Sequence, residues 1–239
     1  MDQQTIKAQA IELIENNKIS TTEIGDVLGK TGQIEGVYPL NRQKFCVGEV
    51  VCIYAINNSN YEVHKQVAEL DLKGKILFVY NVNCDKAIFG DLVAKYILLY
   101  KRAKAIVING IMRDIPDLIK ESRPIWLSGV SPIGCVNRPN GPDIDSELYK
   151  EIKEKYEGSI MVCDDSGVVM IPKEKINEKL IAKLNFIEYQ EDIWYYCMDT
   201  LKMSTYDIVC KKEYLKDDIL DKKRLEQLAQ FQKESDWGK

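Results

Sequence analysis

Residues 75–127 read KILFVYNVNCDKAIFGDLVAKYILLYKRAKAIVINGIMRDIPDLIKESRPIWL, and this stretch decides the fold. Three short apolar runs in it have the length and composition of buried strands, namely residues 76–80, 105–109 and 124–127. The segments between these runs, LVAKYILLYKRA and the residues after Asp114, carry helical patterns. Strands that alternate with helices predict parallel β-α-β units. We therefore expect an α/β fold, in which the central strand ends at Gly110.

The pattern continues on both sides of this stretch. Residues 5–17 are amphipathic, and Ser20 and Glu23 form a capping box that opens a short helix. Residues 45–55 read as another strand. Residues 159–171, in which DDSG separates two apolar runs, predict a hairpin.

The C-terminal part of the sequence has a different character. From Pro172 the pattern is helical to about residue 189, and the sequence then becomes aromatic and highly charged. We predict an α/β domain at residues 1–189 and a C-terminal helical extension at residues 190–239.

Composition argues against several classes of partner. The chain has 33 basic and 37 acidic residues, a net charge of −4, which is unlike a general nucleic-acid surface. The N-terminus is polar, and no apolar run approaches the ~20 residues that cross a bilayer. We expect a cytoplasmic protein with neither nucleic acid nor membrane as partner.

The sequence offers few of the residues that bind zinc or form a serine-histidine site. Its seven cysteines show no CxxC pair and are interpreted as reduced, mostly buried thiols. The one histidine, His64, is interpreted as a helix-surface or core-edge residue. Chemistry in this chain would therefore depend on carboxylates, Arg, Lys and backbone amides.

Two loops at the carboxyl ends of predicted parallel strands carry suitable groups, since ligands of open α/β sheets bind there. One loop leads through Gly90 and Asp91 into a helix whose free amides can bind an anion. The other carries Arg113 and Asp114, a guanidinium that can grip a 2-oxo acid and a carboxylate that can hold Mg²⁺. On these residues alone, the favoured interpretation is a surface ion pair or an N-cap at Asp114.

Five segments of the sequence, in this order, resemble the RraA-like family. The family includes 4-hydroxy-4-methyl-2-oxoglutarate and 4-carboxy-4-hydroxy-2-oxoadipate aldolases, and the resemblance covers roughly residues 18–185. It is carried by STTEIGDVLGKTGQIEGVYPLN, GKILFVYNVNCDKAIFGDLVA, AKAIVINGIMRDIPDL, PIWLSGVSPIG and SIMVCDDSGVVMIPKE.

The resemblance implies roles for particular residues. Four of them would bind the substrate carboxylate, largely through amides: Gly90, Asp91, Leu92 and Val93. Arg113 would bind the 2-oxo acid and stabilise a pyruvate enolate, and Asp114 would be the direct ligand of Mg²⁺ or Mn²⁺. Asp91 would also position or deprotonate a metal-bound water. Asp117 completes the RD-x-x-(D/E) signature, with a supporting role beside the metal.

The resemblance also implies a layered α/β sandwich and a homotrimer or hexamer, with sites between subunits. In the aldolases a carboxylate from a neighbouring subunit supports the metal. Candidates for that group are Glu188, Glu191 and Asp192.

This chain departs from the aldolases in three respects. The segment NVNCDKA stands where they have a Gly-rich loop before the Gly-Asp pair. The interval from Asp91 to Arg113 is one residue longer, and an insertion inside a helix would rotate one face by ~100° unless it lay at a helix end or formed a bulge. The usual Asp-Gly before the RD segment is Asn109-Gly110. These changes bear on which substrate the site would accept more than on whether it would bind a metal.

The expected function is a class II, metal-dependent aldolase/decarboxylase-type lyase. It would cleave a small 2-oxo acid by retro-aldol chemistry that releases pyruvate, or decarboxylate oxaloacetate, through a metal-stabilised enolate. One alternative is a non-catalytic regulatory or binding protein, which the presence of Asp114 disfavours. Another is an enzyme of the same mechanism that acts on a different sugar acid. Methyl transfer is disfavoured because no glycine-rich nucleotide motif follows a strand.

Overall fold

The computed structural model describes residues 2–216 and 218–236, and within them the chain forms two compact units. The sheet unit comprises Ser20–Glu174. The helical unit comprises residues 2–19 and the described residues from 175 onward. No helix in the described ranges is long and apolar enough to cross a membrane.

Eight strands of the sheet unit form one sheet, in the order β1-β6-β5-β3-β2-β7-β8, with β4 paired to β5. The strands are β1 (Tyr38–Pro39), β2 (Cys46–Ile56), β3 (Ile76–Val82), β4 (Ala87–Phe89), β5 (Ala105–Met112), β6 (Ile125–Val130), β7 (Ile160–Asp164) and β8 (Gly167–Ile171). Strands β2, β3, β5 and β6 are parallel neighbours, while β7 and β8 form the expected antiparallel hairpin.

Helices connect the parallel strands and cover both faces of the sheet. The helices of this unit are α2 (Thr21–Val27), α3 (Tyr61–Glu69), α4 (Asp91–Lys95), α5 (Ile115–Lys120) and α6 (Ser146–Tyr156), and a π-helical turn, Tyr96–Tyr100, continues α4. Residues alternate between faces along β3, so that Leu77 and Val79 pack with α3, α4 and α5, whereas Ile76 and Phe78 pack with α6. This confirms the predicted α/β fold with helices on two sides of a sheet.

The capping box predicted before α2 is present in full. The Ser20 hydroxyl accepts a hydrogen bond from the Glu23 N–H at 3.2 Å, and the Glu23 carboxylate accepts one from the Ser20 N–H at 2.7 Å. These two bonds satisfy N–H groups that a helix start leaves unpaired.

The prediction that β5 ends at Gly110 is wrong, because β5 continues to Met112 with an irregular register between Ile108 and Ile111. Glycine serves another purpose at this position: a Cβ on Gly110 would lie 2.8 Å from the Ile88 Cδ1 atom. Gly110 is therefore a close-packing position inside the strand.

The helical unit contains α1 (Gln3–Asn17), α7 (Glu178–Asp199) and α8 (Lys222–Ser235), with short turns of other helix types at Lys173–Lys175, Tyr206–Cys210 and Glu213–Leu215 along the C-terminal half of the chain. The helix predicted from Pro172 therefore begins later and extends further, and the charged C-terminal helix begins only at Lys222. A C-terminal helical region is confirmed.

The boundary predicted between residues 189 and 190 falls inside α7, whereas the compact units divide at Glu174. The N-terminal helix α1 also belongs to the helical unit, where the Asn17 amide donates to the Glu188 carboxylate at 2.8 Å. The extent of the RraA-like domain, given above as residues 1–189, stays a prediction, and residues 237–239 of the extension lie outside the described ranges.

Candidate active site

The short strand β4 brings the two predicted loops together. Ala87 and Phe89 pair in parallel with Ile111 and Met112 of β5, and the Arg113 N–H donates to the Phe89 carbonyl at 3.1 Å. Because both strands end at the same edge, the residues that follow them are neighbours. Strand β4 is only three residues long and has no strong local signal, so the sequence predicts a loop there.

The Asp114 carboxylate links the two loops. Its Oδ2 atom accepts a hydrogen bond from the Asp91 N–H at 3.2 Å and lies 3.7 Å from Nε of Arg113. The side chains of Arg113 and Asp114 are 48% and 43% exposed, so their ion pair alone adds little stability. The contact with Asp91 is what places the carboxylate at the start of α4.

The N-cap interpretation of Asp114 is only partly right. Asp114 occupies the N-cap position of α5, but within the described ranges its side chain caps no N–H of that helix. The Asp114 side chain instead accepts a hydrogen bond from the N–H of Asp91, the first residue of α4. Its backbone has φ 58°, a left-handed conformation that costs free energy for a residue with a Cβ and is concentrated at functional sites.

Gly90 allows this close approach. A Cβ on Gly90 would lie 2.0 Å from Oδ2 of Asp114 and 2.9 Å from Cγ of Arg113. Neither distance is compatible with a real side chain, so any other residue would displace the Arg113-Asp114 pair. The sequence predicts that Gly90 lets the backbone approach a ligand closely. In the structure, Gly90 instead leaves room for the side chains of Arg113 and Asp114.

Asp91 carries an unsatisfied carboxylate oxygen. Its Oδ1 atom is buried and has no hydrogen-bond partner among the described residues, although the residue itself is half-buried. Burial of an unpaired carboxylate oxygen is costly, because the lost hydration is not replaced. A cation, or water held by a cation, would satisfy this atom.

The donor set fits Mg²⁺. This ion takes oxygen ligands, keeps several waters and commonly uses only one or two protein carboxylates, which Asp114 and Asp91 can provide. In the part of the chain that the structure describes, no three His, Cys, Asp or Glu side chains form a metal-binding group. The two carboxylates could therefore hold Mg²⁺ only with water filling the rest of its coordination sphere.

The remaining residues predicted from the sequence lie on the helices α4, α5 and α7. Leu92 is 79% exposed and lines the cavity described below, while Val93 lines it and also packs against the core. Asp117 lies in the first turn of α5, where its N–H donates to the Asp114 carbonyl at 3.2 Å, and its side chain is not among those that line the cavity. Glu188, Glu191 and Asp192 lie on α7 of the helical unit.

A cavity of about 540 Å³ opens at this site. Its lining includes residues that the sequence analysis did not assign to the site: Asn60, His64, Phe89, Cys135, Val136, Asn137 and Arg138. Two guanidinium groups, those of Arg113 and Arg138, and one carboxylate, that of Asp114, face a space large enough for a small acid. The missed residues are Phe89 of β4, two residues at the start of α3 and four of the loop after β6. No local pattern connects α3 or that loop to Arg113.

The loop after β6 supports Arg113 directly. Gly134 lies so close that a Cβ there would be 2.6 Å from Nη1 of Arg113. Backbone hydrogen bonds fix this loop: the Ala87 N–H donates to the Ile133 carbonyl at 2.9 Å, and the Cys135 N–H donates to the Ala87 carbonyl at 2.8 Å. The guanidinium therefore rests on backbone that is tied to β4.

The π-helical turn after α4 offers a place for the extra residue between Asp91 and Arg113. A π turn holds one residue more than an α turn for each hydrogen bond. The extra residue can therefore be accommodated without rotating the first turn of α4, which carries Asp91, away from Asp114.

Comparison with known proteins identifies relatives of the whole sheet unit. Residues 21–170 match the RraA-like family, described as Aldolase/RraA. The chain is also 22% identical over 172 residues to Protein DlpA of Legionella pneumophila, a match that covers 70% of this chain and 28% of DlpA. The chain thus spans less than a third of the length of that curated relative.

Two solved structures share the fold. RraAS2 of Streptomyces coelicolor, an unusual member of the RNase ES inhibitor RraA protein family, has a TM-score of 0.61 at 19% identity, covering 77% of this chain and 96% of that chain. An uncharacterized protein from Pseudomonas syringae has a TM-score of 0.58 at 20% identity, covering 77% and 85% of the two chains. At these identities the likeness establishes the fold.

Proposed function

The chain belongs to the RraA-like family, and from this premise we propose that it is a divalent-metal-dependent lyase acting on a small 2-oxo acid. The observation that carries the proposal is the position of the Asp114 carboxylate, held between the Asp91 N–H and the Arg113 guanidinium at the mouth of a cavity. The reaction would be retro-aldol cleavage that releases pyruvate, or decarboxylation of oxaloacetate.

Arg113 would bind the substrate and stabilise the charge that develops on it. A guanidinium can grip a 2-oxo acid through two parallel hydrogen bonds, and Arg113 is half-exposed in the cavity. When the bond to the leaving carbon breaks, its electron pair moves toward the 2-oxo oxygen, and donors fixed in advance stabilise that charge. Close packing of Gly134 against Nη1 would limit movement of the Arg113 guanidinium.

Asp114 and Asp91 would hold Mg²⁺ or Mn²⁺, Asp114 directly and Asp91 through water. When bound, the ion supplies positive charge that polarises the oxygens of the 2-oxo acid. Asp91 would take up the proton from the substrate hydroxyl or from water, which is the proton transfer that retro-aldol cleavage requires.

We propose a homotrimer or hexamer, in keeping with the family. Apolar side chains are exposed beside the site at a helical spacing along α4 and the π turn, since Leu92, Tyr96 and Tyr100 are 79%, 42% and 71% exposed. Exposed rows of large apolar side chains are typical of interfaces. A neighbouring subunit could then supply a further carboxylate, for which Glu188, Glu191 and Asp192 are the candidates.

Pyruvate release tests the proposal. The substrates are oxaloacetate and 4-hydroxy-4-methyl-2-oxoglutarate, each assayed with Mg²⁺, with Mn²⁺ and with EDTA. We expect metal-dependent turnover that is lost in Asp114→Asn, which keeps an oxygen to accept the Asp91 N–H but removes the charge. Asp143→Ala removes an exposed carboxylate outside the cavity and should leave turnover unchanged.

Three results would contradict different parts of the proposal. Full activity in Asp114→Asn would remove the metal-site assignment. No turnover of either acid, with Mg²⁺ binding intact, would indicate a different sugar-acid substrate. No turnover and no Mg²⁺ binding would favour a regulatory or binding protein.

A further inference from the structure

Two cysteines meet beside the candidate site. Sγ of Cys135 lies 3.7 Å from the carbonyl oxygen of Lys86, which follows Cys84 by two residues. The two thiols are close enough for each to shift the pKa of the other. Cys84 is buried just after β3, whereas Cys135 is partly exposed and lines the same cavity as Arg113 and Asp114. We propose that Cys84 and Cys135 form a redox-active pair, which a peroxide or a small disulfide converts to an intramolecular disulfide.

Backbone contacts hold the segments that carry the two cysteines next to each other. The Asn58 N–H donates to Sγ of Cys84 at 3.3 Å, and the Asn58 carbonyl accepts from the Val136 N–H at 2.9 Å. Val136 follows Cys135, so one residue bridges the segments that carry the two cysteines. The Asn58 side chain adds to this, because its Oδ1 atom accepts from the Asp85 and Lys86 N–H groups at 2.9 and 3.1 Å.

The environment of Cys84 favours its thiolate. The hydrogen bond from Cys135 is the main cause that lowers the pKa of Cys84 to about 7, with help from the Asn58 and Ser59 N–H groups and against the effect of burial. Burial raises the pKa of Cys52 to about 12 and that of Cys163 well above the ordinary range. The thiolate is the form that reacts with oxidants, so Cys84 is the reactive member of the pair.

The chemistry is balanced with hydrogen peroxide as oxidant. The Cys84 thiolate attacks one peroxide oxygen, the O–O bond breaks, and sulfenic acid and hydroxide form. The Cys135 thiol then attacks the Cys84 sulfur and expels water, which leaves the disulfide. Two thiols and one peroxide thus give one disulfide and two waters. A small disulfide such as oxidised glutathione reaches the same product by thiol exchange, releasing two reduced thiols.

Oxidation should also affect the site, a consequence that rests on the proposed function. An S–S bond is about 2.0 Å long, so the two sulfurs must approach each other, and we expect the partly exposed Cys135 rather than the buried Cys84 to move. Gly134 precedes Cys135 and lies so close to Nη1 of Arg113 that a Cβ atom would not fit between them. Movement of this loop would shift the guanidinium, and we expect at least a tenfold loss of turnover that a dithiol reductant restores.

Thiol mapping of the full chain tests the pair without any assay of activity. The protein is treated with hydrogen peroxide or oxidised glutathione, free thiols are blocked with N-ethylmaleimide after denaturation, and peptides are analysed by mass spectrometry. We expect one cross-linked pair, Cys84 with Cys135, which dithiothreitol separates. Exposed Cys210 reports that the oxidant has acted. Complete alkylation of both Cys84 and Cys135 when Cys210 is oxidised would overturn the proposal.

Two variants distinguish formation of the disulfide from its effect on turnover. In Cys135→Ser the cross-link cannot form, and oxidation of Cys84 should stop at sulfenic acid or a mixed disulfide. Cys210→Ser is the matched control and should behave as the unchanged protein. A cross-link without loss of turnover in an active enzyme would overturn the coupling to Arg113. An inactive protein that still forms the cross-link would contradict the lyase proposal and support the thiol pair.

Discussion

The Asp114 carboxylate caps the helix that begins at Asp91, 23 positions earlier in the chain, with 3.2 Å between Oδ2 and the Asp91 nitrogen. Asp114 follows the end of β5 by two residues and has a left-handed backbone conformation. Its side chain reaches α4, the helix that follows β4, and β4 is paired with β5. One hydrogen bond therefore joins the two motifs that the sequence presents separately.

Gly90→Ala should disable the site while the fold persists. The added methyl group would lie 2.0 Å from Oδ2 of Asp114, so the carboxylate must move away from the Asp91 N–H. A displacement of about 1 Å at a catalytic group can cost ~100-fold in rate. Steady-state turnover of oxaloacetate and Mg²⁺ titration by calorimetry would measure the loss.

The matched control is Gly25→Ala. Gly25 lies within α2 and has nothing within 4 Å of an added methyl group, so alanine should stabilise the helix by about 0.5–1 kcal/mol. Equal activity of Gly90→Ala and Gly25→Ala would disprove the role assigned to Gly90.

Arg113→Lys should lose most of the turnover, because an ammonium is a single point charge and cannot reproduce the two parallel donors of a guanidinium. We expect a fall in kcat of about 100-fold, as for other donors that stabilise developing negative charge. Arg102→Lys, exposed and outside the cavity lining, serves as the control. If Arg113→Lys raises only KM, the residue binds substrate without stabilising the transition state.

Alkylation of Cys84 should increase as pH rises through about 7. The pKa of this thiol lies below its ordinary value, so the thiolate forms as pH passes the lowered pKa and is lost again below it. Cys135→Ala removes the main hydrogen bond that favours the thiolate, and the midpoint should move to higher pH. Iodoacetamide labelling at a series of pH values, read by peptide mass spectrometry, gives both curves; coincident curves would rule out the hydrogen bond as the cause.

Leu228→Ala should destabilise the helical unit. Leu228 of α8 is 3% exposed and packs in a cluster with Phe186 and Tyr214. Loss of a buried leucine side chain costs about 2–5 kcal/mol, depending on how far the cavity collapses. Urea denaturation followed by circular dichroism would measure it, with exposed Lys223→Ala as the control. A change below about 0.5 kcal/mol would show that the cluster contributes little.

Much of the fold could be predicted because its signals are local. Short apolar runs at β3, β5 and β6, separated by helical patterns, predicted the parallel strands, and the Ser20-Glu23 capping box marked the start of α2. Prediction failed where packing overrides a local signal. Gly110 resembles a strand terminator, but the neighbouring Ile88 needs the space that only glycine leaves, and β5 runs through it.

The candidate site could be predicted only in its two motifs. Gly90-Asp91 and Arg113-Asp114 follow strands and carry recognisable chemistry, so the sequence pointed to both. His64, Cys135 and Arg138 carry no local mark of a site, because α3 and the loop after β6 reach the cavity only through long-range backbone contacts.

The sequence by itself determined the class of fold, the family and the chemical groups available, because periodicity and motif order are properties of neighbouring residues. Tertiary structure alone decided which N–H the Asp114 carboxylate binds, that Gly90 and Gly134 make room for Arg113 and Asp114, and that Cys84 meets Cys135. These relationships depend on the three-residue strand β4 and its pairing with β5. Such pairing is non-local, since its hydrogen bonds form only when the rest of the sheet is in place.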